Sequence, residues 1–327
     1  MLRWGIVGTG FISHTVIDAI AGSDGSTAVV VAGRNADRVT EFQQQHEIPN
    51  GTTDIGSVLR DPSIDAIYVG LPNHVHHDVT VRAAQHGKAV LSEKSLTTTM
   101  ATAHELIDGV RAADTFFVEG LMYLAHPLYR WLTEFLESGR LGDLTAVTGR
   151  YAANISQVVN PAGMGTIYNL GCYPVSLLHL VVQTCCGEAA WSTRTLQAAG
   201  NLTTDDTVGD AALTVRFDNG VLASLQSTDS YGNASDFSIL GTNGVLRFHT
   251  NPWLPDQHNE LSFTPYDGEP ETFVIAGEHD AFHHQIVMVE RAVATGRREA
   301  ERPSPRWHDS LQIMEVLTEW ERLCRLG

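Results

Sequence analysis

The sequence predicts an α/β protein of two domains. A doubly wound parallel sheet covers residues 1–120, and an α+β domain with a large, mostly antiparallel open sheet covers 121–327. Three observations predict this. At 327 residues the chain exceeds what one hydrophobic core usually organises. Before residue 120, short continuous apolar runs alternate with amphipathic segments, the pattern of strands covered by helices on both faces. After Gly120 the hydrophobic period falls to two with turn residues between runs, as expected of strands with one wet face.

The elements follow in order. Residues 2–8 are an apolar strand, 11–21 a helix by periodicity, 27–33 a second buried strand and 35–45 a polar helix. A short helix is read at 54–60, a strand at 66–70, a helix at 76–86, a strand at 89–93, a helix at 100–113 and a strand at 115–119. Beyond the boundary, a helix at 126–137 ends at Gly139-Arg140-Leu141-Gly142. Alternating strands are then read at 144–153, 189–198, 210–217, 221–228, 235–241 and 245–249. Asp218-Asn219-Gly220 and Gly241-Thr242-Asn243-Gly244 supply turns, and helices return at 281–294 and 307–326. No internal repeat or low-complexity linker is present.

Composition narrows the function. With 43% hydrophobic and 18% charged residues the chain is a packed protein and not a disordered one. The formal charge is 21 − 38 = −17, which repels nucleic acid and anionic membranes as partners. A dinucleotide is also an anion, so a site for one must supply local donors and positive charge. Met1-Leu2-Arg3-Trp4-Gly5 enters a strand with no signal pattern, and no apolar run reaches bilayer length. The expectation is a cytoplasmic protein. Cys172, Cys185, Cys186 and Cys324 show neither metal-ligand nor disulfide-framework spacing; the adjacent pair reads as small apolar residues on a helix.

Gly8-Thr9-Gly10-Phe11-Ile12-Ser13 follows the first strand and opens the first helix. Gly8 permits a tight turn, Gly10 a close approach of the backbone to a pyrophosphate, and the helix start offers free N–H groups and its positive dipole end. Ser13 is small enough for close packing of helix on strand. This is the pattern of a Rossmann dinucleotide-binding domain. At the end of the second strand, Gly33-Arg34-Asn35 carries a guanidinium where an NAD-specific site carries a carboxylate. NADP(H) is therefore the preferred cofactor, with NAD(H) as the alternative.

Five segments, in order and spacing, resemble the glucose–fructose oxidoreductase / inositol dehydrogenase / MocA (Gfo/Idh/MocA) family. They are the glycine loop, Leu71-Pro72-Asn73-His74-Val75-His76, Glu93-Lys94-Ser95, residues 122–127 and residues 165–174. The resemblance implies that Pro72, Asn73, His76 and Glu93 line the cofactor and that Lys94 stands in the active site. Ser95 replaces the family's Pro, which removes a rigid bend and a readily formed cis bond. Asn169-Leu170-Gly171-Cys172-Tyr173-Pro174 resembles the Asp-x-Gly-x-Tyr-Pro segment of the sugar and dihydrodiol dehydrogenase branch. Tyr173 then matches the catalytic Tyr, whereas Asn169 departs from the Asp. An amide can orient a sugar hydroxyl but cannot act as a base. In the implied reaction Tyr173 takes the alcohol proton as hydride leaves for the nicotinamide, with the Lys94 ammonium favouring its phenolate.

Other candidates carry less. His74, His76 and His77 lack the carboxylate–histidine spacing of a metal site, and no metal is expected. His179, about two helical turns after Tyr173, is a candidate for the substrate pocket in competition with a core position. Tyr123 is placed beside the nicotinamide by position alone. The expected activity is oxidation or reduction of a sugar, sugar derivative or cyclic diol. The alternatives are a dinucleotide-dependent glycosidase and a non-catalytic dinucleotide-sensing regulator. An open sheet with an apolar face to cover predicts a homo-oligomer, dimer or tetramer.

Overall fold

The computed structural model describes residues 1–157 and 161–326. The first 120 residues alternate strand and helix: β1 (Leu2–Val7), α1 (Phe11–Ala21), β2 (Ser26–Ala32), α2 (Ala36–Gln45), β3 (Asn50–Thr52), α3 (Ile55–Arg60), β4 (Ala66–Val69), α4 (His76–Gln85), β5 (Ala89–Glu93), α5 (Met100–Ala113) and β6 (Phe117–Gly120). The strands form one six-stranded sheet in the order β3-β2-β1-β4-β5-β6, with every pairing parallel. β4, β5 and β6 are buried along their whole length, which is why their sequences run apolar without alternation. Helix starts are fixed locally: Asn35 accepts from Arg38 N–H (2.9 Å), Asp54 from Ser57 N–H (3.1 Å) and Thr99 from Thr102 N–H (3.2 Å). Strand order reverses between β1 and β4, so the crevice beyond their carboxyl ends is where such sheets take ligands.

The chain continues with α6 (Pro127–Glu137), β7 (Leu144–Ala153), a π-helical turn (Ile167–Gly171), α7 (Cys172–Cys186), β8 (Thr195–Leu202), β9 (Val208–Arg216), β10 (Leu222–Thr228), β11 (Asn233–Gly241), β12 (Gly244–Phe248), β13 (His258–Pro265) and β14 (Glu271–Ala276). The helices α8 (Ala281–Ala294) and α9 (Trp307–Leu326) complete it. The eight strands order as β14-β13-β12-β11-β7-β10-β9-β8 and are antiparallel except for the β7–β10 pair. Residues 189–198, read as one strand, divide into a 3-10 turn (Glu188–Thr193) and the start of β8. Buried Trp191, packed against Phe217, fixes that turn. β3, β13 and β14 were not expected. In β13 the inward Leu261 and Phe263 alternate with polar residues over too short a stretch to stand out.

The chain divides into two compact units, Met1–Ala125 with Ala281–Leu311, and His126–Asp280 with Gln312–Gly327. The expected division at residue 120 therefore misplaces the segment Ala281–Leu311, which belongs with the first unit. The reason is packing. Ile286, Val289, Ala292 and Ala300 share one core with Trp4, Ile20, Val31 and Phe42. Phe117 N–H also donates to Arg298 O (3.0 Å) and Trp307 Nε1 to Phe117 O (3.1 Å). A second correction concerns the open face of the antiparallel sheet. One register row there runs Ala199, Ala212, Gln226, Arg150, and the next Gln197, Thr214, Ser224, Thr148, all exposed. These two rows are small or polar where an apolar face was expected, with Leu222 on β10 an exposed apolar exception beside them. Among the described residues no helix is long and apolar enough to cross a membrane.

Candidate functional site: a glycine cradle and an aromatic-backed helix start

In the first unit, the ends of β1, β2 and β4 are tied edge to edge: Gly8 N–H donates to Ala32 O (2.9 Å) and Gly70 N–H to Val7 O (2.8 Å). Gly8 has φ +120°, and a Cβ there would lie 2.2 Å from Gly70 O, so no other residue fits without moving backbone. Gly70 in turn leaves room for Ser13: a Cβ on it would stand 2.5 Å from Ser13 Oγ. This is the close contact of helix on strand expected of the third small position. α1 then begins at Gly10 with no side-chain cap and no acidic residue in its first turn. Its leading N–H groups and dipole end are open to an anion. Thr9 and Ile12 are half-buried, and Phe11 is 86% exposed.

At the end of β2, Arg34 is exposed and makes no ion pair among the described residues, while the Asn35 side chain is committed to capping α2. Pro72 leads into a short 3-10 turn that buries Asn73, whose Nδ2 has no partner among the described residues. An orphaned donor beside an uncapped helix start fits a group rich in acceptors, as a dinucleotide is. His76 is wholly buried, with Nδ1 3.0 Å from Ser95 O and Nε2 2.7 Å from Leu71 O. Burial holds its pKa down at about 4, against the pull of those carbonyls. It thus ties the Leu71 and Ser95 loops together. His74 is exposed and His77 pairs with Glu105 (3.4 Å); no group of three His, Cys, Asp or Glu gathers into a metal site among the described residues.

Lys94 is half-buried at the end of β5, and its peptide bond to Ser95 is cis. The bend that Ser95 was expected to lose is kept. Glu93 beneath it accepts from Tyr68 Oη (3.0 Å) and from Lys94 N–H (3.3 Å). Burial raises the Glu93 pKa, opposed by the Lys94 charge and the Tyr68 bond. A second buried carboxyl, Glu119 on β6, was missed by the sequence reading. Burial pushes it up to about 7, against hydrogen bonds from Ser310 and Leu96 N–H and the Lys94 charge. A charged residue inside Phe116-Phe117-Val118-Glu119-Gly120-Leu121 was the available signal. Tyr123, expected at the nicotinamide, places its ring in the interior with no exposed surface.

In the second unit, the π-helical turn carrying Asn169 runs directly into α7, which carries Tyr173. The turn is seated on the end of β10, where Ser227 Oγ donates to Thr166 O (3.1 Å) and the two hydroxyls meet at 2.7 Å. Tyr173 is 6% exposed, edge-on to Tyr151 (5.2 Å, 81°) and tilted against Trp253 (6.2 Å). Trp253 stacks on Tyr151 (5.9 Å) and donates its Nε1 hydrogen to Arg150 O (3.2 Å). Such ring pairs are worth about 0.5–1.5 kcal/mol each beyond burial and fix the ring plane. Burial pushes the Tyr151 hydroxyl up to about 12, so it stays neutral. Asn169 Nδ2 donates to Asp229 Oδ2 (3.3 Å). Asp229 was not foreseen, because a lone Asp after a strand reads as a turn residue.

His179 is corrected. Its Nε2 meets Gln312 Oε1 (2.8 Å) and Gln183 Nε2 (3.0 Å), and its ring stands edge-on to Trp191, all in the interior. It takes the core position that competed with the substrate pocket. Lys94 and Tyr173 lie on different units, the first at the carboxyl edge of a parallel sheet and the second at a helix start.

A glycine cradle at an uncapped helix start on a 3-2-1-4-5-6 sheet defines a dinucleotide-binding enzyme class with a separate second unit. The profile described as "Oxidoreductase family, NAD-binding Rossmann fold" matches residues 2–120, and the GFO/IDH/MocA C-terminal domain profile matches 129–247. The chain belongs to the Gfo/Idh/MocA oxidoreductase family and is an oxidoreductase that takes a nicotinamide cofactor. The trans-1,2-dihydrobenzene-1,2-diol dehydrogenase of Xenopus laevis is 28% identical over 328 residues, covering 97% of this chain and 96% of that one. An uncharacterized oxidoreductase of Rhizobium meliloti is 33% identical over 187 residues, 55% of this chain and 56% of that one. A 3-ketoreductase from Actinomadura kijaniata, solved with TDP-benzene and NADP, superposes with a TM-score of 0.82 at 24% identity over 98% of this chain and 96% of that one. Levoglucosan dehydrogenase with NADH and levoglucosan gives 0.82 at 18% identity over 99% and 97%. These two share the fold.

Proposed function

We propose that the protein transfers hydride between NADP(H) and a CH–OH or C=O carbon of a sugar, sugar derivative or cyclic diol, with Tyr173 as acid/base and Lys94 as its electrostatic partner. The observation that carries this reading is the position of Lys94. It directly follows β5, which lies beside β4, on the same carboxyl edge as the Gly8–Gly70 cradle and the open start of α1. The diol is the substrate that the Xenopus relative's name states, and its similarity spans nearly this whole chain. Arg34 supports NADP(H), since an exposed guanidinium at the end of β2 pairs with a 2′-phosphate where a carboxylate would repel it.

When bound, the nicotinamide supplies the hydride acceptor or donor. The chain's own residues handle the proton. Tyr173 takes it from the substrate hydroxyl during oxidation and returns it to a carbonyl oxygen during reduction. The Lys94 ammonium favours the phenolate, while burial raises the pKa values of Glu93 and Glu119 near its base and so keeps them from quenching that charge. The aromatic wall of Tyr151 and Trp253 keeps water from the buried side of the phenol.

A panel of sugars and cyclic diols, followed at the nicotinamide absorbance band with NADP and NAD, tests the activity. With the responding substrate, Tyr173→Phe should lower kcat by about 10²–10⁴-fold with dinucleotide affinity unchanged. Full activity in that variant removes Tyr173 from the chemistry.

A further inference from the structure

We propose that Glu119 is the positioning residue for Lys94: near the end of β6 its buried carboxyl takes the Leu96 N–H and the Ser310 hydroxyl, fixes the turn that carries Lys94, and does so as an acid with no negative charge to set against the ammonium. The proposal rests on the preceding reading of Lys94 as the electrostatic partner of the reacting phenol.

Strand register sets this up. β5 and β6 run parallel, with Ser92 opposite Glu119 and Glu93 opposite Gly120. Alternation sends Ser92 and Glu119 to one face of the sheet and Glu93 to the other. On the Glu93 face Gly120 leaves the room, since a Cβ there would stand 3.5 Å from Glu93 Oε1. That carboxyl is committed to Tyr68 Oη (3.0 Å) and Lys94 N–H (3.3 Å). On the opposite face Glu119, 2% exposed, accepts from Leu96 N–H and from Ser310 in the first turn of α9. Lys94 thus has its own N–H held from one face of the sheet and the N–H two residues on held from the other. Both hydrogen bonds fix the main chain from which its side chain leaves.

The remaining Glu119 oxygen, Oε2, has no partner among the described residues, and neither has Oγ of Ser92, its wholly buried register neighbour on the same face. A buried carboxylate leaves such an oxygen bare at high cost, whereas the acid has one proton to give to a nearby hydroxyl. The charged groups acting on Glu119 are Lys94 and Glu93, both at the end of β5, and α9 presents the neutral Ser310. Burial raises the Glu119 pKa to about 7, against the Ser310 and Leu96 bonds and the Lys94 charge. Below that pH the acid accepts both hydrogen bonds on its carbonyl oxygen and leaves the ammonium unopposed. Above it, a carboxylate stands beside Lys94 as a counter-ion, and the pull of the ammonium on the Tyr173 phenol weakens. Glu119 anchors the turn throughout and opposes the lysine only once it ionises.

The test follows alcohol oxidation at saturating dinucleotide in wild type, Lys94→Met, Glu119→Gln and Glu119→Leu, from about pH 5 to about pH 9, on a substrate that the wild type turns over. The amide of Glu119→Gln keeps an acceptor oxygen and cannot ionise. Its kcat/KM divided by that of wild type should climb by about five- to tenfold as pH rises through about 7. The division removes every ionisation that the two proteins share. Glu119→Leu fills the space without an acceptor, and its kcat at about pH 6 should lie at least about tenfold below that of Glu119→Gln. A merely structural Glu119 gives a ratio that is flat with pH. That flat ratio overturns the proposal, and so does a Glu119→Leu kcat equal to that of Glu119→Gln. If Glu119→Leu fails to fold, the ratio decides alone. A rate that survives Lys94→Met ends the reading of Lys94 and this inference with it, as does a wild type inert across the whole panel. A Lys94-dependent rate with a flat ratio ends only the role of Glu119.

Discussion

The proposed sites of the two units are made of different materials. The first offers backbone: N–H groups at the start of α1, a glycine at φ +120°, and strand ends tied by main-chain hydrogen bonds. The second offers side chains, with Asn169, Tyr173, Tyr151, Trp253 and Asp229 brought from a π-helical turn, a helix, a strand and two loops. A backbone site needs a few residues in fixed local spacing, and most side chains around it are free to vary. A side-chain site needs distant residues to meet. The first kind is written as a motif; the second is not.

The largest expected effect breaks the backbone site directly. In Gly8→Ala the new Cβ would lie 2.2 Å from Gly70 O at a positive φ. We expect a loss of about 3 kcal/mol or more in thermal or denaturant unfolding and at least about a hundredfold weaker dinucleotide binding by titration. Undiminished binding in that variant would show that the cradle is not what receives the phosphates.

Glu119 sharpens the comparison, because it is a buried side chain in the unit whose site is otherwise backbone. Its pKa is raised on folding to about 7, so the folded state holds the proton more tightly than the unfolded chain does. The resulting stabilisation is complete below the ordinary carboxyl range near pH 4 and is lost as pH rises through 7. Glu119→Gln abolishes that slope and should gain on wild type by roughly 3 kcal/mol at pH 9 relative to pH 4. Parallel stability–pH curves for the two proteins would refute a protonated Glu119.

The smallest effect concerns a single side chain at the rim of the backbone site. Arg34→Ala should raise the NADP KM by about ten- to a hundredfold and leave the NAD KM within about twofold, the size of one lost charge-assisted contact. Equal changes for both cofactors would assign Arg34 to general electrostatics and not to a 2′-phosphate.

Much of the fold was legible. α1, α5, β5, β7, α8 and α9 have the bounds their periodicity gives, because the 3.6 and 2.0 repeats are imposed by burying one face. The return of Ala281–Leu311 to the first unit was not legible. Nothing in the helical pattern of α8 says which of two cores its apolar stripe will join; only the fit of Ile286 and Val289 among Trp4, Ile20 and Phe42 does. His179 shows the same limit at one residue. Two helical turns of spacing place it near Tyr173, but Trp191, Gln183 and Gln312 draw it into the interior.

By itself the sequence determined the parallel-sheet unit, its glycine turn and the family, because those depend on steric requirements acting within a few residues of chain. Tertiary structure alone decided that Asn169 faces Asp229 and that a carboxyl on β6 sits buried near Lys94. Those pairings depend on where strands β10 and β6 end in space, a consequence of sheet register and packing that no local pattern encodes.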